Sequence, residues 1–322
     1  MKIKVESIFA LLSFLVIISF AWFAGSSEVG PDYKNYTDMI YRISLSDGLI
    51  NSMVAAKDPL FGAIVYYIDP ANKQQYSYVF IFVAYIVAIH RLVLIRRLGK
   101  WFLVYFFVYI LLYSPAYDFS AIRSLLGLSF LVLGIFSRRR LYALFFYSLS
   151  ILSHISMILP VFLISKKIDS LSNKLTLRVV IPSLFLSGFA LSSIIYLFPQ
   201  TQEYIGMRGS WLLFFRALGN SLSIFIIYQI VKGIVDEDIN RMLKCSLYIS
   251  IIAVSCISVS IATTRLMDIA NYIILIVVFM LPWRRVLNKQ NFVMMIFCFS
   301  FLLVNSIYRM YSSNLFYVLY SR

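Results

Sequence analysis

The chain is built largely of apolar segments, each about 20 residues long, that recur along nearly its whole length. A segment of that length can cross the hydrocarbon core of a membrane as an α-helix, in which the backbone N–H and C=O groups bond to each other. The composition agrees, since 61% of the residues are hydrophobic and 17% are aromatic. We therefore predict an all-α polytopic membrane protein with about ten transmembrane helices, some of them broken or re-entrant. The apolar segments cover residues 7–24, 76–95, 101–115, 118–136, 141–164, 179–198, 211–231, 245–262, 267–283 and 291–307.

The basic residues are distributed in a way that argues against nucleic acid as a partner. The net charge is +15, but Lys and Arg collect at the ends of apolar segments, as in Arg96–Arg97, Arg138–Arg140 and Arg284–Arg285. This is the distribution of topology signals and phospholipid contacts. The three cysteines lie in apolar segments without metal-ligand or disulfide spacing, and we expect them to be packing residues.

The charge distribution also predicts a topology. Met1-Lys-Ile-Lys followed by a long apolar run is typical of an uncleaved signal anchor with its N-terminus inside. Residues 1–322 then form one transmembrane domain with external loops at 25–75, which contains amphipathic or re-entrant segments, and at 199–216. One straight crossing over 141–164 divides Lys and Arg almost evenly between the two sides, whereas a re-entrant pair places about two thirds of them inside. Three polar residues at 153–156 and Pro160 favour such a break, near His154.

Arg123 stands one turn inside an apolar segment. A guanidinium that faces lipid there costs roughly 2.5–3.5 kcal/mol, so we expect it to face a protein interior, a water-filled cavity or an anion. The alternative is a side chain that snorkels to the interface. The external basic residues beyond residue 73 are all arginines, and they include Arg208, Arg216 and Arg265. Arginine binds phosphate oxygens through two parallel hydrogen bonds, so this bias suits a diphosphate ligand.

The first external loop combines aromatic residues with six of the 14 acidic residues. Tyr33, Tyr36, Ile40 and Ile43 are spaced by three to four residues, which predicts an amphipathic helix lying on the membrane surface. Aromatic rings beside carboxylates provide stacking faces and hydrogen-bond acceptors for a sugar chain. The alternative is an interfacial aromatic belt with solvated acids. The acidic residues are Glu28, Asp32, Asp38, Asp47, Asp58 and Asp69.

Four short motifs occur along the chain in an order known from one family. They are Pro31-Asp32-Tyr33-Lys-Asn-Tyr36, Lys57-Asp58-Pro59-Leu60-Phe61, Ile122-Arg123-Ser124-Leu125 with Arg138–Arg140 beyond it, and Leu152-Ser-His154-Ile-Ser156. Together they resemble the motifs of the EpsG/Wzy-type polysaccharide polymerases. The family usually has a glutamate at the position of Asp58, which is one methylene shorter.

This resemblance implies a GT-C-like membrane glycosyltransferase in the cytoplasmic (inner) membrane of a bacterium. Such an enzyme joins undecaprenyl-diphosphate-linked oligosaccharide repeat units into O-antigen, capsular polysaccharide or exopolysaccharide at the outer face of that membrane. The growing chain is the donor and a new lipid-linked unit is the acceptor. The expected partners are these lipid-linked oligosaccharides, the bilayer, a chain-length regulator and a flippase, and we expect no cofactor.

The residue types suggest how such a transfer could proceed. Metal-dependent transferases commonly cluster carboxylates around Mg²⁺ or Mn²⁺, whereas the carboxylates here are scattered along one loop. We therefore expect catalysis without a metal, in which Arg123 and one or more of Arg208, Arg216 and Arg265 bind the diphosphate while Tyr33 and Tyr36 contact the sugar chain. His154 is the first candidate for the general base, because imidazole titrates near neutral pH.

Other assignments remain open from the sequence. His154 could be a hydrogen-bonded residue at a helix break, and Asp32 and Asp58 are alternative bases or ligands of the acceptor sugar. His90, next to Arg91 at the internal end of a span, is expected to be an interfacial residue. Alternative functions are a flippase for lipid-linked oligosaccharide, an O-antigen ligase and a membrane O-acyltransferase. Two pseudo-repeated halves are usual in transporters, and we find none in this chain.

Overall fold

The computed structural model describes residues 5–28, 32–70, 72–165, 177–197, 210–286 and 289–312, and all regular secondary structure in these ranges is helical. The α-helices are α1 (Val5–Ser26), α2 (Tyr33–Ser44), α3 (Leu49–Ala55), α4 (Pro59–Ile68), α5 (Tyr76–Leu98), α6 (Phe102–Leu112), α7 (Ser114–Tyr117), α8 (Ile122–Phe136), α9 (Arg140–Ser153), α10 (Ile158–Leu163), α11 (Leu177–Leu197), α12 (Trp211–Val231), α13 (Glu237–Ser255), α14 (Ser260–Met280), α15 (Trp283–Val286) and α16 (Lys289–Ser312). Three short 3₁₀ helices lie at Lys73–Gln75, Gly99–Trp101 and Ile155–Met157.

Several of these helices are long and apolar enough to cross a membrane. Within the described ranges, five stretches meet that standard, and four shorter apolar helices accompany them. The prediction of an all-α polytopic membrane protein is therefore confirmed. The five stretches are Ile8–Ser26, Lys73–Leu112, Trp211–Val231, Ser260–Met280 and Asn291–Arg309, and the shorter helices are Pro59–Ile68, Ile122–Phe136, Arg140–Ser153 and Val179–Ala190.

The chain divides into two compact units. The first comprises Met1–Val161 and Tyr308–Arg322, and the second comprises Phe162–Ile307. In the second unit, α13 packs against α11, α12 and α14 and is buried along almost its whole length. The three cysteines are buried and form no disulfide, as expected of packing residues. The prediction that these residues form one transmembrane domain stays a prediction.

In the first unit, glycines allow close contact between neighbouring helices. A Cβ on Gly25 would lie 2.5 Å from Ile81 Cα, so α1 and α5 touch backbone to backbone there. Gly134 lies under the ring of Tyr147, and Ser150 Oγ donates a hydrogen bond to Gly127 O at 2.7 Å. These contacts hold α8 and α9 side by side in opposite directions, so the start of α8 lies beside the end of α9.

The helix ends at the predicted break. α9 stops at Ser153, His154 is extended with φ −164° and ψ 122°, and a 3₁₀ turn leads into α10. Pro160 falls in the first turn of α10, where a proline is tolerated. Met157 lies against Gly127, one turn along α8 from Arg123. The predicted break at His154 is therefore confirmed.

The predicted amphipathic helix exists, but its apolar face packs against the protein. Tyr36, Ile40 and Ile43 of α2 are buried. The Tyr36 ring centroid lies 5.9 Å from that of Phe61 and 6.2 Å from that of Phe80. Aromatic rings of α4 and α5 thus cover Tyr36, and that the helix lies on the membrane surface stays a prediction.

The expectation for His90 was also wrong. His90 is 0% exposed and Arg91 is 2% exposed. Arg91 donates to Asp118 Oδ1 at 2.6 Å, and the Tyr109 hydroxyl donates to the other carboxylate oxygen. Aromatic rings surround the guanidinium, whose Cζ lies 5.2 Å from the Phe20 centroid. Arg91 is therefore buried because it pairs with Asp118, 27 residues away, and the adjacent His90 is buried beside it.

The helices α3 and α4 form a tight hairpin. A Cβ on Gly62 would lie 2.4 Å from Ser52 O, 2.7 Å from Met53 Cα and 2.9 Å from Ala56 Cβ. Two of these three atoms belong to the backbone, so they cannot move aside by a side-chain rotation. The absence of a side chain at residue 62 thus sets the distance between the two helices.

We predict that Gly62→Val lowers the free energy of unfolding by about 1–3 kcal/mol, because the added methyl groups overpack the hairpin. Thermal unfolding of the purified protein in detergent measures the change. Ala55→Val is the matched control, since Ala55 is exposed and we expect it to change stability by less than about 0.5 kcal/mol. Equal unfolding temperatures for the two variants would contradict the close packing at Gly62.

Candidate functional site

Asp58 lies at the turn between α3 and α4, and the local sequence fixes its position. Lys57, two residues after the end of α3, has the left-handed conformation, with φ 62°. Such a conformation costs a residue other than glycine on the order of 1 kcal/mol, so the surrounding contacts must maintain it. Asp58 is then extended and Pro59 begins α4. The turn buries Asp58, which is 3% exposed.

The Asp58 carboxylate accepts hydrogen bonds from three groups. Arg123 Nη1 donates to Oδ2 and also lies 3.4 Å from Ala56 O. His154 Nδ1 is 3.2 Å from Oδ2 and 3.3 Å from Oδ1. The Ile155 backbone N–H donates to Oδ1 at 3.3 Å. A carboxylate, a guanidinium and an imidazole therefore meet at one point.

The packing of α8 against α9 explains why Arg123 and His154 meet there. Arg123 is the second residue of α8, and His154 directly follows the last residue of α9. Since these helices are antiparallel neighbours, the two residues come to the same end of the pair. The α3–α4 hairpin then brings Asp58 between them.

The three side chains differ in exposure. The Asp58 side chain is 4% exposed, whereas that of Arg123 is 20% exposed and that of His154 is 25% exposed. The carboxylate thus lies behind the other two groups. A ligand entering from the open side would meet the guanidinium and the imidazole first.

This arrangement selects one tautomer of His154. A carboxylate paired with a guanidinium only accepts hydrogen bonds, so the Nδ1 that faces Asp58 carries the hydrogen. In the neutral imidazole the other nitrogen, Nε2, is then the proton acceptor. Asp58 would also stabilise the imidazolium formed when Nε2 takes a proton.

Residues of α2 and the start of α8 flank this cluster. The Tyr36 ring centroid lies 5.3 Å from Arg123 Cζ. Asp32 accepts a hydrogen bond from Ser120 Oγ at 2.6 Å, and its charge also acts on Arg123. An aromatic ring and a second carboxylate therefore adjoin the Asp58 cluster.

Tyr33 continues this aromatic surface. Its ring centroid lies 5.5 Å from that of Phe80. Burial, and secondarily the charge of Glu28, raises the pKa of Tyr33 above its ordinary value, so the phenol keeps its proton at neutral pH. Tyr33 and Tyr36 also line a mainly apolar cavity of about 30 Å³ that reaches Asp118, which is room for about one or two water molecules.

The structure places the predicted site residues in two groups. In the first unit, Asp32, Tyr36, Asp58 and His154 lie around Arg123, and Tyr33 packs beside Tyr36 on the ring of Phe80. Arg216 and Arg265 belong to the second unit, on α12 and α14. Arg208 lies outside the described residues. The catalytic and binding roles assigned to all of these residues stay predictions.

Arg216 is part of a polar network in the second unit. Its Nε donates to Asn305 Oδ1 at 2.7 Å, and Asn305 Nδ2 donates to Asn220 Oδ1 at 3.3 Å. Asn220 is 0% exposed and Asn305 is 6% exposed. Hydrogen bonds of this kind join helices within a membrane, so Arg216 helps to connect α12 with α16.

Sequence reasoning missed several groups that build or support the site. Ala56 O and the Ile155 N–H are backbone atoms and leave no signal in side-chain patterns. Ser120 is one of many serines, so only its contact with Asp32 distinguishes it. Asp118 could have been found, because an acidic residue beside an apolar segment needs a partner and Arg91 lies within another such segment.

No metal cluster is present in the described parts of the chain, where no three His, Cys, Asp or Glu side chains come together in a way that could hold a metal ion. The groups that gather at Asp58 are instead hydrogen-bond donors to the carboxylate.

Comparison with known proteins agrees with the motifs at this site. The sequence model of the EpsG family matches residues 7–321, and the Asp58, Arg123 and His154 segments all lie inside that range. Neither the search of curated proteins nor the search of solved structures gives a match. The match extends over nearly the whole chain, so the protein belongs to the EpsG family, a polysaccharide polymerase-like family of the Wzy type.

Proposed function

We propose that the protein is a glycosyltransferase that polymerises undecaprenyl-diphosphate-linked oligosaccharide repeat units into O-antigen, capsular polysaccharide or exopolysaccharide. It acts at the outer face of the cytoplasmic (inner) membrane of a bacterium, and it works beside a flippase and a chain-length regulator. The observation that carries the proposal is the buried Asp58 carboxylate behind Arg123 and His154. This cluster combines a cation for a diphosphate with a base for a hydroxyl.

The transfer step uses His154 as the general base. Nε2 takes the proton from the acceptor sugar hydroxyl as that oxygen forms a bond to the anomeric carbon of the donor. The bond between the anomeric carbon and the diphosphate oxygen breaks, and the electron pair leaves with undecaprenyl diphosphate. Asp58 holds the imidazole in the required tautomer and stabilises its positive charge, as the carboxylate does in serine protease triads.

Arg123 binds the diphosphate of the donor. Asp58 and Ala56 O both face Nη1 and Nε is buried, but a fifth of the side chain is exposed, and the diphosphate meets this exposed part of the guanidinium. Hydrogen bonds from a fixed guanidinium to phosphate oxygens strengthen as charge develops on the leaving group. Asp58 thus orients both His154, which takes the proton, and Arg123, which stabilises the negative charge on the leaving diphosphate.

The acceptor sugar lies against the surface formed by Tyr33, Tyr36 and Asp32. The rings provide stacking faces, and the Asp32 carboxylate accepts hydrogen bonds from sugar hydroxyls. We propose that the reaction needs no metal, because three protein groups already occupy the Asp58 carboxylate.

Deletion of the gene tests the proposed function against its alternatives. We expect gel analysis of the surface glycan to show a single repeat unit in place of a ladder, because units are still exported but not joined. Repeat units trapped on the cytoplasmic side would indicate a flippase. Full-length polymer that remains on its carrier lipid would indicate a ligase. Either of these outcomes would overturn the proposal.

The roles of His154 and Asp58 predict a specific pattern of losses. We expect His154→Ala to lower the rate of polymer formation by roughly 10²-fold or more, which is the usual contribution of a general base. Asp58→Asn should cause a comparable loss, because an amide can donate to Nδ1 and favour the wrong tautomer. The double variant should be no slower than His154→Ala alone, since the two residues act as a unit. The measurement is the initial rate in membranes with matched protein levels.

Two variants serve as controls. Ile155→Ala keeps the backbone N–H that bonds Asp58 and changes only an exposed side chain, so it should retain activity. Asp58→Glu introduces the residue that is usual in the family, and it should keep more activity than Asp58→Asn. Normal polymer from His154→Ala, or additive losses in the double variant, would remove the dyad from the mechanism.

A further inference from the structure

We infer that α3 and α4 form a re-entrant hairpin that enters the membrane leaflet opposite the basic ends of α5 and α8, and that the outer face of α3 contacts lipid acyl chains. This inference concerns a binding surface for lipid and does not depend on the proposed function. It rests on the composition of the hairpin, on the depth of its turn and on the side chains it exposes.

The hairpin carries charge only at its turn. Across residues 49–68 the charged residues are Lys57 and Asp58, and both lie between the two helices. A helical hairpin surrounded by water ordinarily has charged or strongly polar residues on its outer face. Here, the most exposed large side chains on α3 are Ile50, at 76%, and Val54, at 73%. They are four residues apart and therefore share one face of the helix.

The helices of the first unit give the depth of the turn. Arg97, near the end of α5, lies over Phe136 at the end of α8, with Cζ 4.7 Å from the ring centroid. From Phe136 back to Arg123 the helix rises about 20 Å at 1.5 Å per residue. The hydrocarbon core is about 30 Å thick. With Arg97 placed at the near boundary, Arg123 would lie about 10 Å short of the far boundary, and Asp58 contacts Arg123.

The lengths of α3 and α4 match that depth. The seven residues of α3 and the ten of α4 extend about 10 Å and 15 Å. Each helix therefore reaches from the turn to the boundary. The close contact at Gly62 keeps the pair narrow, and α4 also packs against α9. Tyr67, near the outer end of α4, is 74% exposed, which suits an aromatic residue at the interface.

Lipid chains are the occupant that this surface fits. Ile50 and Val54 offer no hydrogen-bonding group, and the depth of the turn places them alongside hydrocarbon. Charged side chains on such a face would be costly, and α3 has none. For the same reason, the charged residues of the hairpin lie at its turn, where Asp58 meets Arg123 and His154.

Spin labelling of single cysteines tests this inference on the full chain in liposomes. The native cysteines are buried, so nitroxide labels are introduced with Ile50→Cys and Val54→Cys. Asp47→Cys is the control at an exposed polar position. The spin relaxation of each nitroxide is then measured in the presence of oxygen, which concentrates in lipid, and separately in the presence of a water-soluble nickel chelate. We expect oxygen to dominate at residues 50 and 54 and the nickel chelate to dominate at residue 47.

The contrary outcomes are distinct. Dominance of the nickel chelate at residues 50 and 54 would mean that this face contacts water. Low accessibility to both reagents would mean that protein covers it, and spin–spin broadening would then identify a second copy of the chain. Any of these results would overturn the inference about lipid contact and leave the transferase proposal standing. Normal polymer in the gene deletion would overturn the transferase proposal and leave the inference about lipid contact standing.

Discussion

The structure of the first unit depends on a buried carboxylate that three segments share. A carboxylate removed from water is costly unless opposite charge and hydrogen bonds surround it. Asp58 receives these from Arg123 and His154, which are 65 and 96 residues away along the chain, and from the Ile155 backbone. The contact therefore attaches the α3–α4 hairpin to α8 and α9. Because the cation and the imidazole remain partly exposed, the same contact forms the candidate site.

The segment that leads into α8 is attached to the first unit by three polar contacts. They connect it in turn to α5, to α2 and to the hairpin, and they are Arg91–Asp118, Asp32–Ser120 and Asp58–Arg123. Breaking a buried ion pair by removing one partner commonly costs about 3–5 kcal/mol. The Arg91–Asp118 pair, which also has the Tyr109 hydroxyl, thus supports the orientation of Arg123 without touching the site. The buried charges of this unit therefore lie where its elements contact each other.

The helices could be predicted from the sequence because hydropathy alone requires them. The break at His154 was also predictable. Polar residues lie in the middle of that apolar segment, and the charge distribution requires the chain to return there to the same side of the membrane. The apolar face of α2 could not be assigned, because Tyr36 has the same spacing whether lipid or the ring of Phe61 covers it. Its true partners appear only when α4 and α5 are in place.

The site was predictable in its members but not in its arrangement. Asp58, Arg123 and His154 each stood out as a polar residue in a family motif, yet nothing in their spacing indicated that Asp58 would lie behind the other two. The sequence also suggested that several arginines share one anion, and this stays a prediction. In the structure, Arg123 is joined by carboxylates and an imidazole, while Arg216 contacts Asn305 in the second unit. Pairing between distant segments depends on packing, which local patterns do not encode.

The central claim is that Arg123, held by Asp58 beside His154, binds a polyprenyl diphosphate. The most direct measurement is the affinity of the protein in nanodiscs for a polyprenyl diphosphate and for the matching monophosphate, compared among wild type, Arg123→Lys and Arg123→Gln. We expect wild type to prefer the diphosphate, Arg123→Lys to lose part of that preference, and Arg123→Gln to bind the diphosphate at least tenfold more weakly, a loss of about 1.4 kcal/mol or more. Unchanged affinity for the diphosphate in both variants would contradict the account.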